Sequence, residues 1–179
     1  MSKFMVMALA VFTVFATNAE KIDTSKSTVF WQGTKVTGRH FGTVKIKSGD
    51  VKLEKGQLVS GKVVVDMNSF TATDLQGEWL DKLNGHLKNE DFFHVSKYPT
   101  ATLDIKKVEG FTVTADLTIL GKTKEVKFLA AQKGKNFVGS LEFNRTDFGL
   151  KYGSASFFKS LGDKAIDDKV SLAFDVVVK

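Results

Sequence analysis

The stretch FTVTADLTILGKTKEVKF, residues 111 to 128, alternates apolar and polar residues on both sides of a glycine turn. In an extended chain, one face of its first half carries Phe111, Val113, Ala115, Leu117 and Ile119. The alternation returns after Gly121 with Val126 and Phe128. Because successive side chains of a strand point to opposite faces, this pattern predicts two strands, each with one buried and one solvated face. The short turn between them predicts an antiparallel hairpin.

Similar alternation marks most of the chain and predicts about eight to nine strands joined by short polar or glycine turns. Its apolar positions include Val44 and Ile46, Val51 and Leu53, Val63 and Val65, Leu103 and Ile105, Phe137 and Leu141, and Val170 and Leu172. We expect Ser48-Gly49-Asp50 to form one of the turns. Short connections force antiparallel pairing. The sheet then buries its apolar face by closing into a barrel or by folding into a two-sheet sandwich, and the pattern fits both.

One segment, DLQGEWLDKLNGHLKN from Asp74 to Asn89, departs from the strand pattern. Its apolar residues, which recur at helical spacing, are Trp79, Leu80, Leu83 and Leu87. This spacing predicts one short amphipathic helix. Phe92 and Phe93 follow in a loop, and Pro99 favours extended backbone at the start of the next strand. The aromatic content of this loop predicts that the loop and the helix lie across one mouth of a barrel. The interior of such a barrel is either filled by side chains or holds a ligand.

A second aromatic pair, Phe157-Phe158, lies in an irregular segment from Tyr152 to Asp168. This segment shows neither strand nor helix periodicity, so we expect a long loop that borders one of the two mouths. Long loops in compact domains are often functional.

Residues 1 to 19 have the composition of a secretory signal peptide, with Lys3 before an apolar run and small residues ahead of a cut after Ala19. The apolar run, Phe4 to Phe15, has 12 residues, whereas a membrane span needs about 20. We therefore expect an exported protein with one domain at residues 20 to 179 and no transmembrane segment in the mature chain. The chain has no cysteine, and a domain of this size buries enough core to be stable without disulfides.

The net charge of +6 does not indicate nucleic-acid binding. Nearly all the basic residues are lysines, often alternating with apolar residues, and Arg39 and Arg145 are the two arginines. Base readout and bidentate phosphate contacts favour arginine over lysine. Lysines at alternating positions instead indicate the solvated faces of strands.

The polar residues suggest few chemical sites. His86, Asp91 and His94 would supply three metal ligands, but a helix end separates the histidines and breaks the regular spacing of a zinc site. We therefore predict no metal site and no cofactor. Arg145 and Asp147, two apart on an extended run, form either a surface ion pair or a clamp for a polar head group. Since the sequence holds no motif of hydrolases, phosphate-binding loops or dinucleotide-binding folds, we predict that the protein is not an enzyme.

Four stretches together resemble the YceI-like family of exported, lipocalin-like barrels that bind polyisoprenoids. They are GHLKNEDFFHVSKYPTATL from Gly85, TADLTILGKTKEVKF from Thr114, FNRTDFGL from Phe143 and LGDKAIDDKVSLAFDVVV from Leu161. The resemblance implies an all-β fold with one short helix: a closed eight-stranded antiparallel barrel, with the helix and a loop capping one mouth. It also implies a periplasmic protein whose apolar pore holds an isoprenoid lipid or quinone for transport or storage. The alternatives are an enzyme acting on an isoprenoid or small apolar substrate, and a ligand-free stress or interaction barrel.

On this hypothesis, apolar and aromatic side chains line the pore and its lid. The candidates are Trp31, Val65, Met67, Trp79, Leu80, Leu83, Leu87, Phe92, Phe93, Phe128, Phe143 and Phe148. Polar residues are candidates for contact with the head group of the ligand, and these are Arg39, His40, His86, Arg145 and Asp147. The expected partners are an isoprenoid lipid or quinone and, in a homodimer, a second copy of the chain.

Overall fold

The computed structural model describes residues 19 to 179. The strands are β1 (Ala19–Lys21), β2 (Thr28–Lys35), β3 (Gly38–Glu54), β4 (Gln57–Ala72), β5 (Thr100–Glu109), β6 (Thr112–Ile119), β7 (Lys122–Lys133), β8 (Asn136–Asn144) and β9 (Ile166–Val177). The helix α1 runs from Gly77 to Lys88, and 3-10 turns span Arg145–Phe148 and Gly162–Lys164. The predicted signal peptide, residues 1 to 19, lies outside the described residues apart from Ala19, which begins β1.

Strands β2 to β9 close into an antiparallel barrel of eight strands. Each strand from β2 onward pairs with the next one along the chain, and β9 pairs with β2 to complete the ring. The short strand β1 adds to the end of β3, and Ile22 forms a bridge with Val178. Closure buries the apolar face and leaves none of the eight strands with a free edge along the ring. The predicted barrel is therefore confirmed, and the two-sheet sandwich is excluded.

The predicted hairpin is β6 and β7, which pair in continuous register from Thr112 opposite Leu129 to Ile119 opposite Lys122. Both residues of the connecting turn have positive φ, 52° at Leu120 and 71° at Gly121, as the two-residue hairpin turn of type I′ requires. The prediction is wrong only for Phe111. That residue lies in the turn before β6 and is 69% exposed, so its side chain does not share the buried face.

Ser48-Gly49-Asp50 does not form a turn, because β3 continues through all three residues to Glu54. The pairing with β4 instead shifts its register between Ile46 and Ser48. The glycine serves a close approach: a Cβ on Gly49 would lie 2.5 Å from Cδ1 of Ile22. A bulge within a long strand and a turn between two strands use the same residue types, which explains the error.

The helix α1 sits on the barrel rim beside the end of β4. Asn84 holds it there, because its Oδ1 accepts the N–H of Ala72 at 2.9 Å and its Nδ2 donates to Oγ1 of Thr71 at 3.0 Å. Leu87 in the last turn is buried, whereas the first turn is mostly exposed. The C-terminal half of the helix therefore packs against the barrel. Within residues 19 to 179, no helix combines the length and apolar character needed to cross a membrane.

Candidate functional site

The barrel encloses a cavity of about 160 Å³. All eight strands of the ring contribute to its wall, and the loop after α1 contributes Phe93. Thr102 is the polar exception in the wall among the described residues. The inward faces that the alternation pattern marks as apolar therefore converge on one apolar space inside the barrel.

Stacked aromatic rings close the cavity at the end where α1 lies. Trp31 and Phe70 are stacked with their ring centres 4.5 Å apart, and Phe93 lies 5.0 Å from Phe70. Phe92 packs edge-on against Phe93 at 5.2 Å. The indole N–H of Trp31 donates to the carbonyl of Thr71 at 3.1 Å, so the one polar group of this stack is satisfied. The predicted cap of helix and loop over one mouth is confirmed.

Half of the predicted pore residues reach the cavity wall, and these are Trp31, Val65, Met67, Phe93, Phe128 and Phe143. The others pack outside it. Leu80, Leu83, Leu87 and Phe92 form the layer between the helix and the barrel rim. Phe148 is buried against the edge of Phe143, 5.5 Å away between ring centres.

Trp79 is misplaced by the helical pattern. It shares a stripe with Leu83 and Leu87, but it lies in the first turn of a helix that contacts the barrel through its last turns. Its side chain is 70% exposed, with the ammonium group of Lys82 5.1 Å from the ring centre. A helical stripe identifies the side that faces the protein but not how far along the helix the contact extends.

Phe70 is a member of the aromatic stack that the sequence pattern does not identify. The alternation that begins at Val63 and Val65 would point Ser69 inward and Phe70 outward. The pairing of β3 with β4 is irregular between Thr43 and Lys45, and this shift reverses the faces, so that Phe70 and Ala72 are buried. The adjacent polar residues at 68 and 69 are the signal that marks the break.

Arg145 is buried in the protein and does not lie at an open rim. Its Nε donates to the carbonyl of Asp167 at 2.8 Å, and its Nη2 donates to Ile166 at 3.0 Å. Its Nη1 donates to the carbonyls of Leu150 and Tyr152 at 2.7 and 2.9 Å. The guanidinium therefore joins the segment after β8 to the start of β9, with its donors used inside the protein.

The carboxylate that faces Arg145 is Asp168, whose Oδ1 lies 3.3 Å from Nη2. Burial lowers the pKa of Arg145, and the charge of Asp168 opposes this shift. Burial alone would raise the pKa of Asp168, but Ser154, Ser156 and Arg145 outweigh it and lower this pKa below its ordinary value. Both readings of an Arg145–Asp147 pair are wrong, because a 3-10 turn replaces the expected extended run and leaves Asp147 exposed.

His86, in the last turn of α1, packs its side chain against the loop that follows β8. Its ring is 5.7 Å from the centre of Phe92 and 4.5 Å from Tyr152, edge-on to both. The ring of Phe92 is also close to Arg145, whose guanidinium carbon lies 5.9 Å from the ring centre. These contacts join α1, the aromatic lid and the loop after β8 into one packed layer.

His40 and Asp74 form a second contact at the lid. Nδ1 of His40 lies 2.7 Å from Oδ2 of Asp74, and Oδ1 of Asp74 accepts the N–H of Phe41 at 3.2 Å. Burial raises the pKa of Asp74, but the hydrogen bonds from His40 and Phe41 outweigh burial and lower it below its ordinary value. The pair joins the start of β3 to the segment that enters α1. The neighbouring candidate Arg39 is exposed.

Asp74→Asn is expected to lower the free energy of unfolding by about 1 to 2 kcal/mol at neutral pH, because the charged acceptor of two hydrogen bonds is lost. Since the folded-state pKa of Asp74 is lowered, its contribution is present above the ordinary value of 3.8 and lost as the pH falls below it. Urea unfolding at pH 7 and at pH 3 measures both differences. Equal destabilisation at the two pH values would contradict the role of the ionised carboxylate.

His86 and His94, the two histidines considered as metal ligands, pack against aromatic rings. His86 packs between aromatic rings, and His94 packs edge-on to Tyr98 at 6.0 Å. In the part of the chain that the structure describes, no group of three or more histidine, cysteine, aspartate or glutamate residues is arranged to hold a metal ion.

A model of the YceI-like domain matches residues 21 to 178, from the last residue of β1 to just beyond β9. This chain belongs to the YceI-like family. Among the curated members is a UPF0312 protein of Shewanella denitrificans, 32% identical over 118 residues that cover 58% of this chain and 60% of that protein. The YceI protein of Escherichia coli O157:H7 is 32% identical over 99 residues, 53% of this chain and 50% of that protein. The matches therefore span about half to three fifths of these YceI-like relatives.

Solved structures show the same YceI-like barrel. BcnA of Burkholderia cenocepacia superposes with a TM-score of 0.66 at 24% identity, covering 88% of this chain and 99% of that one. A polyisoprenoid binding domain from Saccharophagus degradans has a TM-score of 0.59 at 15% identity, covering 92% of this chain and 99% of the domain. The resemblance that four sequence stretches indicate is confirmed, together with the fold it implies.

Proposed function

We propose that this YceI-like protein binds an isoprenoid chain inside the barrel and holds it for transport or storage. The observation that carries the proposal is the cavity inside the barrel, which has an apolar wall on all eight strands and Phe93 at its mouth. Burial of apolar groups contributes about 0.8 kcal/mol per methylene, so an isoprenoid chain gains affinity with each unit that enters. The relative from Saccharophagus degradans, described as a polyisoprenoid binding domain, supports this class of ligand.

The proposed action is burial of the ligand without chemical change. Among the described residues, the cavity wall holds neither a carboxylate nor a basic side chain, and Thr102 is its polar residue. A general acid or base must lie within hydrogen-bond distance of the group on which it acts. The composition of the wall therefore supports a carrier and not an enzyme.

The volume of the cavity implies that the lid moves when a long chain enters. A cavity of about 150 Å³ in another protein accommodates benzene, so about 160 Å³ offers room for roughly one isoprene unit. A longer chain needs the space now filled by the rings of Phe93 and Phe70 at the mouth. We therefore place the entry of the ligand at the lid, where few side chains have to shift, and not through the paired strands.

The test of the proposal uses two adjacent alanines on opposite faces of β7. Ala130 lies in the cavity wall, whereas Ala131 is exposed on the outer surface. Ala130→Phe is expected to lower the affinity for a short-chain isoprenoid quinone about tenfold or more, because the new ring occupies space that the chain needs. Ala131→Phe adds the same ring outside the barrel and should bind like the unchanged protein.

Binding is measured by quenching of Trp31, which lies in the cavity wall, by the quinone ring. The chain has two tryptophans, so a Trp79→Phe background leaves Trp31 as the sole reporter. Native mass spectrometry of the purified protein gives an independent count of bound ligand. The same affinity in the Ala130→Phe and Ala131→Phe variants, or no quinone uptake by the unchanged protein, would refute the proposal.

We also propose that residues 1 to 19 are a signal peptide and that the mature domain, residues 20 to 179, acts in the periplasm. The support is the apolar run after Lys3 and the small residues before the cut at Ala19. N-terminal sequencing of protein from the periplasmic fraction is expected to begin at Glu20. Full-length protein retained in the cytoplasm would contradict this.

A further inference from the structure

The loop after β8 exposes large aromatic side chains at the lid end of the barrel. Tyr152 is 47% exposed, and the adjacent Phe157 and Phe158 are 48% and 50% exposed. The loop is folded and not extended: the N–H groups of Phe157 and Phe158 both donate to the carbonyl of Ser154, at 3.1 and 2.9 Å. An ordered loop that presents such a cluster to water indicates a contact surface.

Basic residues surround these aromatic side chains. Residues 151 to 165 contain Lys151, Lys159 and Lys164 against one acidic residue, Asp163. The turn between β2 and β3 lies beside this loop, since the N–H of Val36 donates to the carbonyl of Ala165 at 3.3 Å. That turn adds two more basic residues, Lys35 and Arg39, and Val36 is 67% exposed. We call residues 35–39 and 151–165 the basic aromatic surface.

The basic aromatic surface is packed directly against the lid. The ring of Tyr152 lies 4.5 Å from His86 of α1, and His86 contacts Phe92 beside the mouth. The carbonyl of Tyr152 also accepts a hydrogen bond from Arg145. A partner that binds this surface therefore sits next to the end of the barrel where the cavity is closed by Phe93.

We propose that the basic aromatic surface docks on an anionic lipid bilayer, with Phe157 and Phe158 inserted among the head groups. Aromatic side chains favour the boundary between head groups and acyl chains, and lysines are attracted to anionic lipid. The ammonium group of Lys151 lies 4.4 Å from the ring centre of Phe157, so the charged group and the ring can meet the bilayer surface at the same depth. The first turns of α1 carry no comparable excess of positive charge, since Glu78 and Asp81 accompany Lys82, which pairs with Glu78.

Charge disfavours a second copy of the chain as the occupant. A two-fold symmetric dimer would place this surface against itself, and five basic residues would face the same five. A bilayer with anionic lipid offers the opposite charge over a wide area. Docking on a bilayer goes beyond the proposed function, and only its biological purpose rests on that function. A docked barrel would let an isoprenoid chain pass between bilayer and cavity without crossing water.

The test is flotation of the protein with vesicles of phosphatidylcholine, with and without phosphatidylglycerol. We expect binding to the vesicles with phosphatidylglycerol, weakened by added salt. Phe157→Ser with Phe158→Ser is expected to reduce binding about tenfold or more, since both apolar anchors are lost. Lys151→Glu with Lys159→Glu should reduce it at least as much, because loss of each lysine alone is worth about fivefold. Phe111→Ser is the matched control, because Phe111 is 69% exposed at the opposite end of the barrel.

The outcomes are distinct. Equal vesicle binding by the Phe157/Phe158 variant and by Phe111→Ser would overturn the proposal, as would binding that ignores phosphatidylglycerol. Absence of vesicle binding together with dimers that the Phe157/Phe158 variant abolishes in ultracentrifugation would overturn it in favour of a second copy. Docking without quinone uptake would refute the proposed function and leave this inference standing, and uptake without docking would do the reverse. Circular dichroism confirms that each variant is folded.

Discussion

Arg145→Met is expected to lower the free energy of unfolding by about 3 to 5 kcal/mol, the range for removing one partner of a buried ion pair. The guanidinium donates to four carbonyl groups in two segments, those of Leu150 and Tyr152 after β8 and those of Ile166 and Asp167 at the start of β9. Methionine fills a similar volume but donates no hydrogen bond, so the carbonyls and the carboxylate of Asp168 lose their partner. The measurement is urea unfolding followed by circular dichroism.

The matched control is Arg39→Met, because Arg39 is the other arginine and is exposed. We expect that variant to change the free energy of unfolding by less than about 0.5 kcal/mol. Arg145→Lys keeps the positive charge without the planar fork of donors, and should restore only part of the loss. Equal stabilities of Arg145→Met and Arg39→Met would rule out the bracing role of Arg145.

Phe93→Ala is expected to produce the second large effect, a loss of about 3 to 5 kcal/mol in the free energy of unfolding. Phe93 is buried, lies 5.0 Å from Phe70 and 5.2 Å from Phe92, and forms part of the cavity wall. Its removal leaves a gap in the lid that the stacked rings cannot fill. We therefore also expect a bound isoprenoid quinone to leave the barrel faster, while the cavity wall on the strands is unchanged.

Two measurements separate these effects. Urea unfolding gives the change in stability, and stopped-flow recovery of Trp31 fluorescence after dilution gives the rate at which quinone is released. Phe111→Ala deletes an exposed ring in the turn before β6 and should change neither quantity. A stable Phe93→Ala variant, or one that releases quinone at the original rate, would show that Phe93 does not close the mouth.

The sequence predicts the strands because the alternation of apolar and polar residues is set by side chains that are close together in the chain. The hairpin of β6 and β7 follows from alternation and from the positive φ that Gly121 permits. Gly49 shows the limit: its neighbour in space is Ile22, so a glycine that serves packing looks like a glycine that serves a turn. Phe70 shows the other limit, since one irregular pairing reverses which side of β4 faces inward.

The partners of polar side chains follow from the sequence less directly than the faces of strands do. Arg145 is held mainly by backbone carbonyls, which every residue possesses and which no sequence pattern marks. The partner of His40 is Asp74, and the pairing of the long strands β3 and β4 brings the start of β3 close to the segment before α1. An arginine and an aspartate two positions apart suggested a pair, but a 3-10 turn sends the two side chains in different directions. Such contacts depend on the local path of the backbone and on strand pairing, which the residue types alone do not reveal.

The pairing of β9 with β2 determines when the barrel can form during synthesis. Strands β2 to β8 can pair successively as hairpins while the polypeptide emerges from the ribosome, but the ring stays open until Ile166–Val177 has been made. Until then β2 and β8 both offer free hydrogen-bonding edges. The nascent protein therefore remains an open sheet with two unpaired edge strands, to which chaperones can still bind. A premature stop codon between residues 145 and 165 would leave that sheet permanently unsealed and prone to aggregate.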